Sequence, residues 1–211
     1  RFAEDQKSHI RSITRELAKS ISGNQLVIGS DSKQCETLFG ELQEFARTKN
    51  ITLILATADG YTKHKWDGNA WEKSKLSDDP DASEEESVFA QASKPRTITI
   101  STPLLGRGVN IRNLRKVIKT SFDPNARLES QVDGRTGRYG AKGITVGIYD
   151  WQHICETQPL SDDQKTTKTS RNRRKILDSI RHTAQQEEIS RLSLTSEIKG
   201  ISIQYQNYFD D

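Results

Sequence analysis

The 211-residue chain contains no methionine and only two cysteines, Cys35 and Cys155, far apart in sequence. That spacing excludes a paired-cysteine metal site and a disulfide framework, and it fits a reducing compartment. Apolar residues are also scarce. They make up 32% of the chain against 29% charged residues, which supports a modest core and a sizeable solvated portion. No apolar run approaches the ~20 residues that a membrane-spanning helix requires, and no signal-peptide pattern is present. Positive charge is present but not in excess. A net charge of +3 is too small for nucleic-acid binding through bulk electrostatics. The missing methionine and the arginine at position 1 lead to the expectation of a piece of a longer protein.

Against these absences stands a regular alternation of strand and helix signals. Apolar, β-branched runs at 25–30, 51–57, 97–102, 117–121 and 144–149 are separated by helix-length segments. Asp31 is a helix cap with Gln34 at the third position, and Cys35, Leu38, Phe39, Leu42, Phe45 and Ala46 then recur at helical spacing. Strands joined in this way form a mainly parallel sheet covered on both faces, an α/β three-layer sandwich. The expected division is an N-terminal helix and linker over 1–22, the sandwich over 23–155, and a basic linker with a helical extension over 156–211.

Two segments interrupt or leave this pattern. Residues 58–81 read as a polar insertion in the form of a solvated loop, and Trp66 and Trp71 among its lysines and glycines leave a partner-binding role open. After it, Glu84, Glu85 and Glu86 suit the start of a short helix through Val88, Phe89 and Ala92. Residues 165–181 hold seven basic residues and one acid, and Ile176, Ile180, Ile189 and Leu192 mark a weakly amphipathic helix beyond them. A solvated helix that packs on another part of a longer protein is one reading of that segment. An anionic-ligand patch is the other.

The chemistry concentrates in two glycine-framed arginine loops. Residues 131–138 read Gln-Val-Asp-Gly-Arg-Thr-Gly-Arg, and Gly106-Arg107-Gly108 precedes them after the strand at 97–102. Arginine presents a rigid bidentate fork suited to phosphate, and adjacent glycines let backbone approach it closely. No G-x-x-x-x-G-K-[ST] phosphate-binding loop occurs, nor an Asp-Glu pair closing an apolar strand. Half of a nucleotide site is therefore legible, and the other half is not in this chain.

The pattern at 131–138 resembles the sixth motif of helicase-like ATP motors, and the segment at 105–111 resembles their fifth. The Gly-Arg-Gly and the leading Gln131 make the likeness strongest to the second nucleotide-binding domain of the SecA preprotein translocase ATPases, over about 23–149. The resemblance implies a RecA-like three-layer sandwich that acts on ATP held, with magnesium, by a first lobe. In that scheme Arg138 is the finger on the γ-phosphate. Arg135 lies beside it on the phosphates or couples to the fifth motif. Gly106, Arg107, Gly108, Asn110, Gln131, Gly134 and Gly137 complete the nucleotide-facing set, and no metal ligand belongs to this lobe. Implied partners are the first lobe, a polypeptide substrate and a membrane translocon, with nucleic acid less favoured. The implied location is the bacterial cytoplasm or the inner-membrane periphery. Two positions depart from the family pattern: Asn110 replaces an aspartate and Asp133 replaces a basic residue. These keep a second reading open, a SecA-derived interaction domain of a secreted effector without motor activity. A third reading is the C-terminal lobe of a nucleic-acid helicase.

Overall fold

In the computed structural model, residues 1–58, 60–66, 71–74, 84–103, 111–136 and 142–209 are described. The chain divides into two compact units. One comprises Arg1–Phe122 with Leu128–Leu160, and the other Asp123–Arg127 with Ser161–Asp211.

The first unit is built on a seven-stranded sheet. In chain order its strands are β2 (Gln25–Ile28), β3 (Thr52–Thr57), β4 (Gly60–Trp66), β5 (Trp71–Ser74), β6 (Thr97–Ser101), β7 (Lys116–Lys119) and β8 (Ile144–Gly147). Their spatial order is β5-β4-β3-β6-β2-β7-β8. The pairings β3–β6, β6–β2, β2–β7 and β7–β8 are parallel, as the alternation of strand and helix predicts. A separate two-stranded ribbon joins β1 (Phe2–Ala3) in parallel to β9 (Tyr149–Asp150).

Helices cover both faces of the large sheet, so the sandwich has three layers. On one face lie α1 (Gln6–Ala18) and α2 (Ser32–Lys49). Ile13, Leu17, Cys35, Leu38, Leu42 and Ala46 close there over Val27, Leu53, Ile98 and Ile100. On the other face α3 (Glu84–Ala92) and α4 (Ala126–Asp133) contribute Val88, Ala92 and Val132 to a cluster with Leu26, Ile28, Ile54 and Val117. The alternation of side chains along each strand decides this split: Ile98 and Ile100 face α2, while Thr99 lies between Leu26 and Ile54 in register. The apolar face predicted for α2 is the one observed. Asp31 caps the helix by accepting from the Gln34 N–H at 2.8 Å, but the Gln34 side chain accepts from the Ser30 N–H at 2.6 Å rather than closing the capping box.

The solvated-loop reading of 58–81 is corrected where the structure describes it. β4 and β5 form an antiparallel hairpin that extends the sheet from β3, with Trp66 opposite Trp71 in register. Lysines on β4 hide the strand in a hydrophobicity count. The open backbone edge of β3 supplies the ladder, and tertiary pairing overrides the weak local signal. His64 on this hairpin stands edge-on to Phe39, with ring centroids 4.9 Å apart.

Residues 1–22 contribute to the main core rather than standing apart from it. Ile13 and Leu17 are fully buried, and the buried His9 donates from Nε2 to the Ile148 carbonyl at 2.8 Å. Burial pushes the His9 imidazole below its ordinary value, with the Ile148 contact and the Asp150 charge opposing it. The base of α1 is tied by charge: Lys116 Nζ donates to the Glu16 carbonyl (2.8 Å) and to Glu16 Oε1 (3.0 Å), with both side chains buried.

After β9 come α5 (Trp151–Thr157) and, in the second unit, α6 (Asp162–Lys165) and α7 (Ser170–Phe209). The apolar face predicted for α7 is buried only over its first turns. Of the predicted positions Ile176 and Ile180 are half-buried, whereas Ile189 and Leu192 are more than half exposed, and the enclosed residue is Leu177, outside the predicted set. Among the described residues no helix is long and apolar enough to cross a membrane.

Candidate nucleotide-facing site

The described residues that flank the arginine loops, Ile111 and Val132, lie in the α3–α4 apolar cluster. The first departs from the end of β6, where Ser101 and Thr102 are buried, and returns at Ile111 and Leu114, which plug into the α3–α4 apolar cluster. Its return is held by hydrogen bonds. Ser93 Oγ accepts the Arg112 N–H at 3.0 Å, and Asn24 Nδ2 donates to the Arg112 carbonyl at 2.8 Å. Gly106, Arg107, Gly108 and Asn110 belong to 104–110, outside the described residues, as do Gly137 and Arg138 of the second loop.

The described part of the second loop is 131–136. Gln131 and Gly134 are exposed, whereas Arg135 is buried, at 7% exposure. The helical turn closes through the Gly134 N–H to the Ser130 carbonyl at 3.0 Å and the Arg135 N–H to the Val132 carbonyl at 3.1 Å. Thr136 Oγ then reaches the Asp133 carbonyl and Thr145 Oγ, each at 3.3 Å, tying the loop to β8. A Cβ at Gly134 would meet only the Ser130 and Gln131 carbonyl oxygens, at 3.4 and 3.8 Å. Among the described residues no contact forces glycine there. The exposed Gln131 side chain and the exposed Gly134 fit the rim of a polyphosphate site, where close backbone approach is needed.

The structure shows a group that the sequence reading passed over. Lys119 Nζ lies 2.8 Å from Glu129 Oε1 and 2.8 Å from Asp133 Oδ1, and Tyr149 Oη donates to Glu129 Oε1 at 3.2 Å. Tyr149 gains this reach because Gly147 leaves room for its ring: a Cβ at 147 would stand 2.5 Å from Tyr149 Oη. The i,i+4 spacing of Glu129 and Asp133 was the available sequence signal. Their cation lies on a different strand, so only the fold could reveal it. The departure at Asp133 thereby acquires a role, as an acid facing a lysine of its own lobe.

The description "Helicase conserved C-terminal domain" matches residues 9–140. "Protein translocase subunit SecA 3" of Mycolicibacterium vanbaalenii is 31% identical over 96 residues, covering 38% of this chain and 12% of that protein. "ATP-dependent RNA helicase DBP2" of Chaetomium thermophilum is 26% identical over 140 residues, covering 62% of this chain and 25% of that protein. The chain thus spans a quarter or less of the length of these relatives. Among solved structures, the E. coli DEAD-box protein SrmB bound to regulator of ribonuclease activity A superposes with a TM-score of 0.52 at 14% identity. That likeness covers 73% of this chain and 77% of the other, and it concerns the fold.

Proposed function

We propose, from the premise that the chain belongs to the helicase conserved C-terminal domain family, that it is the second motor lobe of a SecA-like, ATP-driven protein translocase. The observation that carries the reading is the Gln-Val-Asp-Gly-Arg-Thr-Gly-Arg loop on a lobe whose sequence holds no phosphate-binding loop. ATP, with magnesium, would be held by a first lobe of the same longer protein and would supply the phosphoryl group that is transferred to water.

The residues of this chain have distinct tasks. Arg138 directs a guanidinium at the charge that develops on the phosphoryl oxygens. Arg135, which is buried, would lie beside it on the phosphates or couple to the fifth-motif segment. Gln131 and Gly134 face outward and orient the rim, with Gly106, Arg107, Gly108, Asn110 and Gly137 completing it. Such a protein would work in the bacterial cytoplasm and at the inner-membrane periphery, beside a translocon, on a polypeptide. The matches to SecA subunits support this assignment.

A second reading, the C-terminal lobe of an RNA helicase, is favoured by the greater length of the match to the RNA helicase. A third reading, an interaction domain without motor activity, rests on Asn110. In the whole protein Arg138→Ala should cut ATP turnover roughly a thousandfold while ATP still binds, the scale of arginine-finger losses. Unchanged turnover would remove Arg138 from the site. Stimulation of turnover by unfolded polypeptide supports the translocase, stimulation by RNA supports the helicase, and a whole protein lacking any phosphate-binding loop supports the interaction domain.

A further inference from the structure

We infer that Lys119 is a positioning residue for the arginine loop, holding the helix from which that loop departs. The inference rests on the reading of Arg135 and Arg138 given above. α4 has eight residues, about two turns, and a helix of that length does not persist in water without tertiary support. Its inner side is held by Val132, buried in the apolar cluster. Its other flank is held by Lys119, whose Nζ takes Glu129 from the first half of the helix and Asp133 from its final position, each at 2.8 Å. Two contacts one turn apart fix both the rotation of α4 and its position along its axis.

The charge arrangement gives the lysine its effect. Asp133 closes the C-terminal turn, where the helix macrodipole already presents partial negative charge, and Glu129 is a like charge at i,i+4. Without a cation both terms loosen the last turn, and Gly134-Arg135 follows directly from it. Lys119 is itself anchored. It lies on β7, its side chain is 13% exposed, and its carbonyl accepts the Ile148 N–H at 2.9 Å. Tyr149 Oη donates to the same Glu129 oxygen. Lys119 touches no described nucleotide-facing residue directly, so it acts through α4.

The test uses the whole protein, with Lys119→Met, Lys119→Arg and Asp133→Asn beside Arg138→Ala. Loss of loop position by about 1 Å costs on the order of a hundredfold in rate, so Lys119→Met should lower kcat by roughly ten- to a hundredfold. KM for ATP and the melting temperature should stay near wild type, and Lys119→Arg should restore most of kcat. Amide hydrogen exchange at 130–136 should quicken in Lys119→Met alone among the lysine variants. Wild-type kcat in Lys119→Met, or an arginine variant as slow as the methionine one, overturns the inference. A kcat loss that tracks a fall in melting temperature overturns it equally. Should Lys119→Met fail to fold, Asp133→Asn decides, since Asp133 is 48% exposed: lowered kcat at unchanged melting temperature supports positioning, and unchanged kcat refutes it. A dead Arg138→Ala beside a fully active Lys119→Met refutes only the positioning role. An active Arg138→Ala refutes the finger itself.

Discussion

Glu16 and Lys116 form a buried ion pair whose two halves should respond very unequally to mutation. Lys116 is 2% exposed at its side chain, and its ammonium has two described acceptors, both on Glu16. Glu16→Leu leaves that ammonium buried with the backbone carbonyl alone. Removing one partner of a buried pair costs about 3–5 kcal/mol, and the surviving carbonyl contact places the expected loss at about 3–4 kcal/mol. Lys116→Met leaves Glu16 with Arg1 and Lys19, each about half exposed, so its cost should be only about 1–2 kcal/mol. Replacing both by apolar groups of similar volume removes the uncompensated charge, and the double variant should lie within about 1 kcal/mol of wild type. Urea unfolding of the four proteins, with midpoints and slopes compared, yields the coupling, expected at about 4–6 kcal/mol from the two single losses and a near-neutral double variant. The pH dependence gives an independent check. Burial would raise the Glu16 carboxyl, but hydrogen bonds from Lys19 and Lys116 and the Lys116 charge outweigh it and hold the group at about 2. A folded-state value below the unfolded one means that the unfolded chain binds the extra proton. The contribution of Glu16, about 3 kcal/mol at most, is therefore complete above the ordinary value of 4.5 and is lost as pH falls from there to about 2. Glu16→Leu should flatten the stability profile across that window. Additive single-mutant effects, or a Glu16→Leu variant within about 1 kcal/mol of wild type, would show the pair to be dispensable.

Two further expectations concern buried groups. Thr99 Oγ is enclosed on the α3–α4 face and has no hydrogen-bond partner among the described residues. Thr99→Val should therefore leave stability unchanged or raise it by roughly 1 kcal/mol, and a loss of more than that in urea unfolding would refute the assignment. Burial pushes the Cys35 thiol up to about 12, against the Gly29 backbone contact that lowers it. Iodoacetamide at pH 8 should leave Cys35 unlabelled in the native protein and modify it only in denaturant. Mass spectrometry showing rapid native labelling of Cys35 would contradict its burial between α2 and the sheet.

The sequence alone determined those parts of the fold whose cause is local. The apolar runs of β2, β3 and β6 and the helical recurrence from Cys35 to Ala46 carry their own periodicity, so the parallel sheet and the face buried by α2 were legible without coordinates. The two arginine loops were legible as candidates because glycine and arginine recur there at fixed spacing, a pattern suited to phosphate. Tertiary structure decided whatever depends on a partner remote in the chain. The β4–β5 hairpin exists because β3 offers an open edge, and no count of lysines and tryptophans between 58 and 81 could supply that edge. Lys116 reads as a polar strand residue until Glu16 meets it a hundred positions earlier in the chain. Asp133 reads as a departure from a motif until Lys119, on another strand, turns it into one end of a clamp. Periodicity specifies which face of an element is buried. Ion pairs and sheet edges are specified only by which elements the fold brings together.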